Sequence, residues 1–336
     1  MARLRYLTPF AFLALLPLGG WLGGAWTFLA AAATPLGLVS LDAILGADEQ
    51  LVTASSPRAS RWLPRGYIVL QLAANAYAAI LVANAATGLL EAVGLILSAG
   101  VTTGVFGFVA AHEMIHSRDA RERALGLALL GSVFYMHFRI AHVYGHHRRA
   151  ATRDDPATAR LGEGLYAFLV RSIAGQFREA WEFDASQRHK RMIRYLAVEL
   201  AFVLLLALVA WRVFAFAVGV ALIAIVLLES FNYVAHYGLE RRIGADGRAE
   251  RLSPQHSWNS ARRMNNASLF NMGRHSDHHR RITQSYEGLE LLTGESQLPS
   301  GYAAALLTAL VPPLWRGLMD HRAEAVRSQQ PLRERS

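Results

Sequence analysis

The sequence predicts an all-α membrane protein with six transmembrane helices and a histidine-rich cap on the cytoplasmic side. Two observations support this fold class. Long apolar runs each approach the roughly 20 residues that cross a hydrocarbon core. Thirteen histidines are present, and nine of them lie in four short clusters beside those runs. The 336 residues are 53% hydrophobic, which would also suit a large soluble domain. The distribution of the apolar residues therefore decides the class.

The apolar runs are expected to pair as three helical hairpins. They cover residues 7–26, 27–46, 66–87, 91–111, 195–214 and 215–235. The first two runs are nearly continuous, as are the last two, so each pair must turn through a short link, at Gly23-Gly24 and near Arg212. Two further apolar stretches, 124–138 and 302–314, are short for a span and are expected to form partly buried or interfacial helices.

The positions of the arginines orient the predicted bundle. Two precede the first span, three lie between the second and third spans, and most of the others follow the fourth and sixth. Because Lys and Arg concentrate on the cytoplasmic side of membrane proteins, both termini and every histidine cluster are expected to face the cytoplasm. The formal charge of +9 then reflects topology and contact with anionic lipid. No basic helix carries base-reading side chains, so nucleic-acid binding is not expected.

The first 25 residues could also be a signal peptide. No cleavage site of small residues follows in the right context, so a retained first helix is predicted. No repeat or low-complexity linker divides the chain. Residues 1–321 are therefore predicted to form a single membrane-embedded domain, and 322–336 to form a loose polar tail.

The four histidine clusters predict a metal centre. They read His112-Glu-Met-Ile-His116, His142-Val-Tyr-Gly-His146-His147, Asn232-Tyr-Val-Ala-His236 and His275-Ser-Asp-His278-His279. Imidazole is the commonest metal ligand at neutral pH, and eight or nine imidazoles exceed what one ion can use, so two metals are expected. The chain has no cysteine. A nitrogen-rich ligand set suits iron better than a structural zinc site, while copper and zinc stay open.

Individual cluster residues leave alternatives. His112 and His116 share one face of a helix because they are four residues apart. The H-E-x-x-H pattern also marks zinc peptidases, in which the glutamate is the general base, but a peptidase would leave about six clustered histidines unexplained. Glu113 is either a ligand or an acceptor for an imidazole N–H, and for Asp277 the acceptor role is preferred.

His236 stands alone at the end of the sixth run. A lone histidine there could be an interfacial anchor, yet ionisable residues near membrane depth are functional by default, so His236 is included among the ligands. Glu229, about two turns earlier, is the other buried ionisable candidate. Four histidines lie outside the clusters and are expected not to be ligands: His137, His189, His256 and His321.

Longer segments around the clusters carry a family resemblance. They are His146-His-Arg-Arg-Ala-Ala-Thr-Arg-Asp-Asp-Pro-Ala-Thr-Ala-Arg-Leu-Gly-Glu163, Asn232-Tyr-Val-Ala-His-Tyr-Gly-Leu239, Ser257-Trp-Asn-Ser260 with Leu269-Phe-Asn-Met-Gly-Arg-His-Ser-Asp-His-His279, and Leu41-Asp-Ala-Ile-Leu-Gly-Ala-Asp48. From about Arg5 to Leu318 the chain resembles the integral-membrane alkane 1-monooxygenases. These belong to a wider histidine-rich group with xylene monooxygenase and the fatty-acid desaturases and hydroxylases.

This resemblance implies six transmembrane helices and a non-haem di-iron centre, with two Fe, in a bacterial inner membrane. It also implies terminal hydroxylation of medium- or long-chain alkanes, using O2 and electrons from a rubredoxin with its reductase. A hydroxylase of an alkyl-aromatic or terpene, or a fatty-acid desaturase or hydroxylase, would keep the same ligands. A metal-binding or transport protein would place its ligands nearer mid-bilayer. Ala235 departs from the family, which usually has Glu there.

Electron supply requires a second protein. The chain has no cysteine and no Gly-rich dinucleotide fingerprint, so a separate carrier is expected, an acidic rubredoxin attracted to basic residues of the cap. The hydrophobic substrate is expected to arrive from the bilayer. The arginines expected to receive the carrier are Arg148, Arg149, Arg262, Arg263, Arg280 and Arg281. For Arg148 and Arg149, bracing of the neighbouring ligands or contact with lipid headgroups is an equal alternative.

Overall fold

Helices form nearly all the regular structure of the computed structural model, which describes residues 4–48 and 61–329. They are α1 (Thr8–Leu22), α2 (Leu29–Leu45), α3 (Trp62–Ala83), α4 (Leu89–Thr102), a π-helical turn π1 (Thr103–Gly107), α5 (Phe108–Ile115), α6 (Ala120–Ser132), α7 (Phe138–Ile140), π2 (Ala141–His146), α8 (His147–Arg149), α9 (Leu165–Phe183), α10 (Lys190–Val209), α11 (Trp211–His236), α12 (Arg263–Ser268), α13 (His275–Arg280), α14 (Tyr302–Ala309) and α15 (Pro312–Gln329). Two short parallel strands, β1 (Trp258–Asn259) and β2 (Ser296–Gln297), pair in the cap. The all-α prediction is confirmed.

Five helical segments within 4–48 and 61–329 are long and apolar enough to cross a membrane. They are Gly24–Leu45, Trp62–Ala83, Leu89–Ile115, Lys190–Val209 and Trp211–His236. The protein is therefore an integral membrane protein. Helix α1 has 15 residues, fewer than the roughly 20 that a span needs, and the count of six spans stays a prediction.

The predicted hairpin links lie where the backbone leaves helical geometry. Gly23 and Gly24 have φ of 70° and 54°, a left-handed conformation that glycine adopts without steric cost. This allows α1 to end and the next helical segment to begin within two residues. Between α10 and α11, Ala210 is extended, two residues before the expected position at Arg212. Both links are as short as the sequence predicts.

The two short apolar stretches form helices that do not span. The first is α6, and the second divides into α14 and α15 at a proline pair. Helix α15 continues to Gln329, so the predicted loose tail is wrong for residues 322–329. Two contacts hold this helix on the bundle: Ala323 is fully buried, and Tyr237 donates to Asp320 at 2.5 Å. The remaining residues of the predicted tail lie outside the described residues.

The N-terminal segment is tied to the cap. Arg5 pairs with Asp48 at 2.5 Å, which joins the start of α1 to the residues that follow α2. Asn271, four residues before the last histidine cluster, donates to the hydroxyl of Tyr6 at 2.7 Å. The start of α1 and the end of α2 therefore lie at the same end of the bundle as that cluster.

A polar network lies inside the helical bundle around Glu229, which is fully buried on α11. Its carboxylate accepts hydrogen bonds from four side chains. The donors are Tyr135 at 2.9 Å, Ser172 at 2.7 Å, Gln176 at 2.6 Å and Asn232 at 3.3 Å. Because a buried carboxylate is tolerated only with such partners, the network fixes α11 against α9 and the segment before α7. The burial predicted for Glu229 is confirmed.

Candidate metal centre

All nine clustered histidines converge at one end of the bundle, in two adjacent groups. In each group the candidate ligand atoms lie within 4.8 Å of one another. The five-histidine group contains His112, His116, His142, His147 and His278. The four-histidine group contains His146, His236, His275 and His279. The adjacent pairs His146-His147 and His278-His279 are thus each divided between the two groups.

Ordinary α-helical spacing accounts for two of the contacts. His112 and His116 on α5 are four residues apart, and their ring centroids lie 4.6 Å from each other. On α13, His275 and His279 have the same spacing, with 3.1 Å between their Nε2 atoms. Residues at i and i+4 share a helix face, as predicted. Two of the four clusters are therefore already arranged by their own helices.

The cluster at 142–147 needs the π-helical turn. His142 and His147 are five residues apart, which would place them on different faces of an α-helix. In π2 the hydrogen bonds run from i to i+5, so residues five apart come into line. The Nε2 atoms of His142 and His147 lie 3.1 Å apart as a result. His146 points instead to the four-histidine group, where its ring centroid lies 4.8 Å from that of His236.

His236 joins the centre although it is alone in the sequence. It is fully buried at the end of α11, and its Nε2 lies 3.1 Å from Nε2 of His275. Its other ring nitrogen, Nδ1, lies 3.2 Å from the backbone carbonyl oxygen of His256 and donates to it. That hydrogen bond fixes the tautomer and leaves the Nε2 lone pair directed into the group.

Burial lowers the pKa of several rings of the two groups and so favours their neutral form. It holds the pKa of His142, His147 and His275 well below the usual value, and the neighbouring imidazoles lower the pKa further. Burial likewise lowers the pKa of His278 to about 3. A neutral imidazole has a free lone pair on one ring nitrogen, which is the form that binds a metal ion.

The spacing of these nitrogens fits bound metal ions. Neighbouring Nε2 atoms lie between 2.7 Å, for His112 and His142, and 3.2 Å, for His116 and His147. Two imidazoles bound to one ion at about 2.1 Å have nitrogens about 3 Å apart when they meet at a right angle. The Nε2 of His146 is buried without a hydrogen-bond partner in the described part of the chain. Lone pairs held this close are stabilised by a shared cation.

A carboxylate that the sequence reasoning missed contacts one of these rings. Asp155 is buried, and its Oδ2 accepts from Nδ1 of His146 at 2.8 Å. Burial would raise the pKa of Asp155, but the charge and hydrogen bond of His146 and the hydroxyl of Thr158 lower it below the usual value. The available signal was the Asp-Asp-Pro step that follows the second cluster in the family-like segment.

The two carboxylates expected near the metals have other partners. Asp277 is fully buried but accepts from Arg280 at 3.0 Å, from Arg281, and from the backbone N–H of Glu290 at 2.9 Å. The predicted hydrogen bond from an imidazole to Asp277 is therefore wrong, because arginines three and four residues along α13 occupy its oxygens. Glu113 accepts from the backbone of Tyr286 at 3.4 Å. Neither carboxylate belongs to a histidine group.

The four unclustered histidines remain outside both groups. His137 packs against Tyr135, with ring centroids 4.4 Å apart, and His189 stacks on Trp181 at 4.4 Å. His256 contributes its carbonyl to His236, as described above. His321 is exposed on α15.

An apolar cavity of about 220 Å³ leads from the histidine groups into the bundle. His112, His142 and His275 close its polar end. Its apolar walls come from α2, α4 with π1 and α5, α11, and α14. They include Thr34, Leu38, Val101, Val105, Phe108, Leu227, Phe231 and Leu306. The cavity thus contacts both groups and extends to the depth of the membrane-spanning helices.

The arginines of the cap divide into braced and exposed residues. Arg149 pairs with the buried Glu179 on α9, and its guanidinium carbon lies 5.1 Å from the ring centroid of Phe183, a cation–π contact. Arg281 pairs with Asp277. Of the six arginines expected to receive the carrier, three face solvent, and we call them the exposed arginines: Arg148, Arg263 and Arg280. Arg280 also pairs with Asp277. Of the two alternatives for Arg149, the structure favours bracing of the segment that carries His146 and His147.

A helical membrane bundle that closes on nine histidines, seven of them buried, defines a class of membrane proteins with a histidine-rich, metal-binding centre. The family model for fatty acid desaturases matches residues 86–304. Alkane 1-monooxygenase 1 of Pseudomonas aeruginosa is 40% identical over 259 residues, 74% of this chain and 68% of the relative. Alkane 1-monooxygenase of Acinetobacter baylyi is 35% identical over 300 residues, covering 84% of this chain and 73% of the relative.

A more distant relative covers more of the chain. The xylene/toluene monooxygenase hydroxylase component of Pseudomonas putida is 28% identical over 326 residues, 90% of this chain and 84% of the relative. The chain belongs to the integral-membrane alkane 1-monooxygenases, within the fatty acid desaturase family. It is an oxygenase, and its resemblance to that family is confirmed.

Proposed function

We propose that the protein is a non-haem di-iron monooxygenase that hydroxylates the terminal carbon of medium- or long-chain alkanes. The observation that carries this proposal is the apolar cavity that ends on His112, His142 and His275. An alkane offers no polar group for recognition, so a long apolar cavity is the site that such a substrate requires. Relatives named alkane 1-monooxygenases support the reaction.

The length of the cavity supports a chain of this size. Val101 is the residue lining the cavity on α4, π1 and α5 that lies farthest along the chain from His112, eleven residues before it. At about 1.5 Å per residue this is a rise of about 16 Å along the helix axis. An extended polypeptide advances about 3.5 Å per residue over three backbone bonds, so an extended alkane is expected to advance about 1.2 Å per carbon–carbon bond. A chain of about thirteen carbons would span this distance with its terminal carbon at the metal centre.

The nine histidines are proposed to hold two iron ions, one in each group. Nitrogen donors without thiolate suit iron, and five and four imidazoles leave positions for other ligands. When bound, the iron pair would supply an oxidant derived from O2 that is strong enough to attack an unactivated C–H bond. The protein orients the substrate and excludes water. Phe138 stacks on His142 at 4.8 Å and Phe231 meets the ring of His275 at 5.7 Å, so aromatic rings flank the reacting end of the cavity.

Electrons are proposed to come from rubredoxin, reduced by its reductase, at the exposed arginines. A small acidic carrier would be attracted to these positive side chains, and such steering acts on the rate of encounter. Arg149 is left out of this surface because it is only partly exposed and pairs with the buried Glu179. The excess of arginine around the histidine end supports a cytoplasmic cap in a bacterial inner membrane. On that side, soluble carriers reach the centre while the substrate enters from the bilayer.

Product analysis tests this function. Membranes containing the protein are supplied with NADH, rubredoxin reductase, rubredoxin and n-alkanes from octane to hexadecane, and also with xylene and a fatty acyl substrate. We expect primary alcohols that carry label from isotopic O2, with the highest yield near the cavity length. A membrane preparation of His116→Ala is the control and should give none. Benzylic alcohols or a desaturated acyl chain in place of alkanols would overturn the alkane assignment.

A further inference from the structure

The two histidine groups differ in what their outward ring nitrogens contact. In the four-histidine group, Nδ1 of His146 donates to the buried carboxylate of Asp155 at 2.8 Å. Among the described residues, Nδ1 of His112 and His147 in the five-histidine group is buried without a hydrogen-bond partner, as is Nδ1 of His275 and His279 in the four-histidine group, so the contact of His146 with a carboxylate is what differs. The ring contacts found in that group join its imidazoles to one another.

Asp155 is held firmly in its place. The hydroxyl of Thr158 donates to Oδ2 at 2.6 Å, and the backbone N–H of Ala157 donates to Oδ1 at 3.0 Å. The loop that carries Asp155 is clamped by Arg171 of α9, which donates to the carbonyl of Pro156 at 3.1 Å and to that of Thr158 at 3.0 Å. The carboxylate is therefore positioned by its own loop as well as by His146.

A carboxylate on Nδ1 changes what Nε2 of the same ring can do. It keeps the proton on Nδ1, orients the ring, and raises the basicity of Nε2 toward a metal ion. In this centre the negative charge of Asp155 contacts a ring of the four-histidine group directly. At low local dielectric such a charge acts over several ångströms, and its effect falls with distance.

We propose that Asp155 is a positioning residue that acts through His146 on the metal position of the four-histidine group alone, and so adds to the difference that five and four imidazoles already give the two positions. This inference rests on the proposed two-metal centre. Removal of such a carboxylate lowers metal affinity by about 10- to 100-fold. Only one of the two positions should show this change.

The test is a cobalt(II) titration of the purified, metal-free, full-length protein, followed by its visible spectrum and by competition with a chelator. Wild-type protein should bind two ions. In Asp155→Asn, one of the two binding constants should weaken by about 10- to 100-fold and the other should stay at its wild-type value. Asp155→Glu, which keeps the charge, should restore part of the loss.

Two companion variants separate this role from a structural one. Asp277→Asn removes a buried carboxylate on α13 that pairs with arginines, and it should leave the affinity difference between the positions unchanged. His146→Ala should weaken the same position as Asp155→Asn. The double variant should be no weaker there than His146→Ala, because Asp155 acts through that ring.

The outcomes distinguish a failure of the two-metal centre from a failure of the role of Asp155. A wild-type protein that binds fewer than two ions would overturn the proposed centre itself. A wild-type protein with two ions, but an Asp155→Asn variant that weakens both positions equally or neither, would overturn the role of Asp155 and leave the centre standing.

Discussion

Replacement of Val101 by phenylalanine should shorten the alkanes that the enzyme accepts. Val101 lines the cavity on α4, a rise of about 16 Å along the helix axis from His112. Phenylalanine at this position would fill the turn between Val101 and Val105, four residues or about 6 Å of cavity. At about 1.2 Å per bond, that removes room for about five carbons. The preferred chain should fall from about thirteen carbons to about eight.

Each carbon that the shortened cavity excludes has a cost in binding free energy. A methylene that no longer fits loses about 0.8 kcal/mol of burial, which corresponds to about a fourfold lower kcat/KM. Overpacking also destabilises a protein by about 1–3 kcal/mol. Stability affects all substrates equally, whereas the cavity affects long ones selectively. The ratio of kcat/KM for decane and tetradecane therefore reports on the cavity alone.

The assay is a competition between n-alkanes of graded length, with the alcohols separated by gas chromatography. Val93→Phe is the matched control, because Val93 lies on the same helix with 39% of its surface exposed toward the lipid. The control should keep the wild-type profile. If Val101→Phe also kept that profile, the cavity would not be the substrate site and the length argument would fail.

The metal centre, the electron donor and the buried network give three further outcomes. His116→Ala and His278→Ala should each abolish turnover and lose metal while the helical circular dichroism persists, whereas His189→Ala should retain activity. Arg148→Glu with Arg263→Glu should slow reduction by rubredoxin in stopped flow. The difference should fade from 0.1 to 1 M salt, where the Debye length falls from about 10 to about 3 Å. Glu229→Leu should lower the Tm, since each buried donor left unpaired costs about 1–3 kcal/mol; an unchanged Tm would refute the structural role of that network.

Local patterns in the sequence predicted much of the centre. The i, i+4 spacing of His112 with His116 and of His275 with His279 sets their shared faces directly. The position of His236 at the end of a membrane-spanning run was enough to predict it as a metal ligand. The hairpin link at Gly23 followed from the length of the apolar run. These features depend on residues close in the chain, so a single sequence contains them.

Other features depend on geometry that the pattern does not specify. The π-helical turn at 141–146 assigns His147 and His146 to different groups, and an α-helical reading of the spacing misplaces them. The contact of Asp155 with His146 depends on how the following loop closes against α9. The ion pairs of Asp277, by contrast, could have been predicted, because Arg280 and Arg281 follow it by three and four residues, the spacing at which helical side chains meet.

The metal content of the active enzyme tests the central claim most directly. Purified protein with measured turnover is analysed for iron, zinc and copper by mass spectrometry against its protein concentration. Two groups of five and four imidazoles lead us to expect about two irons per chain, with His146→Ala and His147→Ala each reducing that number. One zinc per chain with no iron in active protein would contradict the account and favour the peptidase chemistry of the H-E-x-x-H pattern.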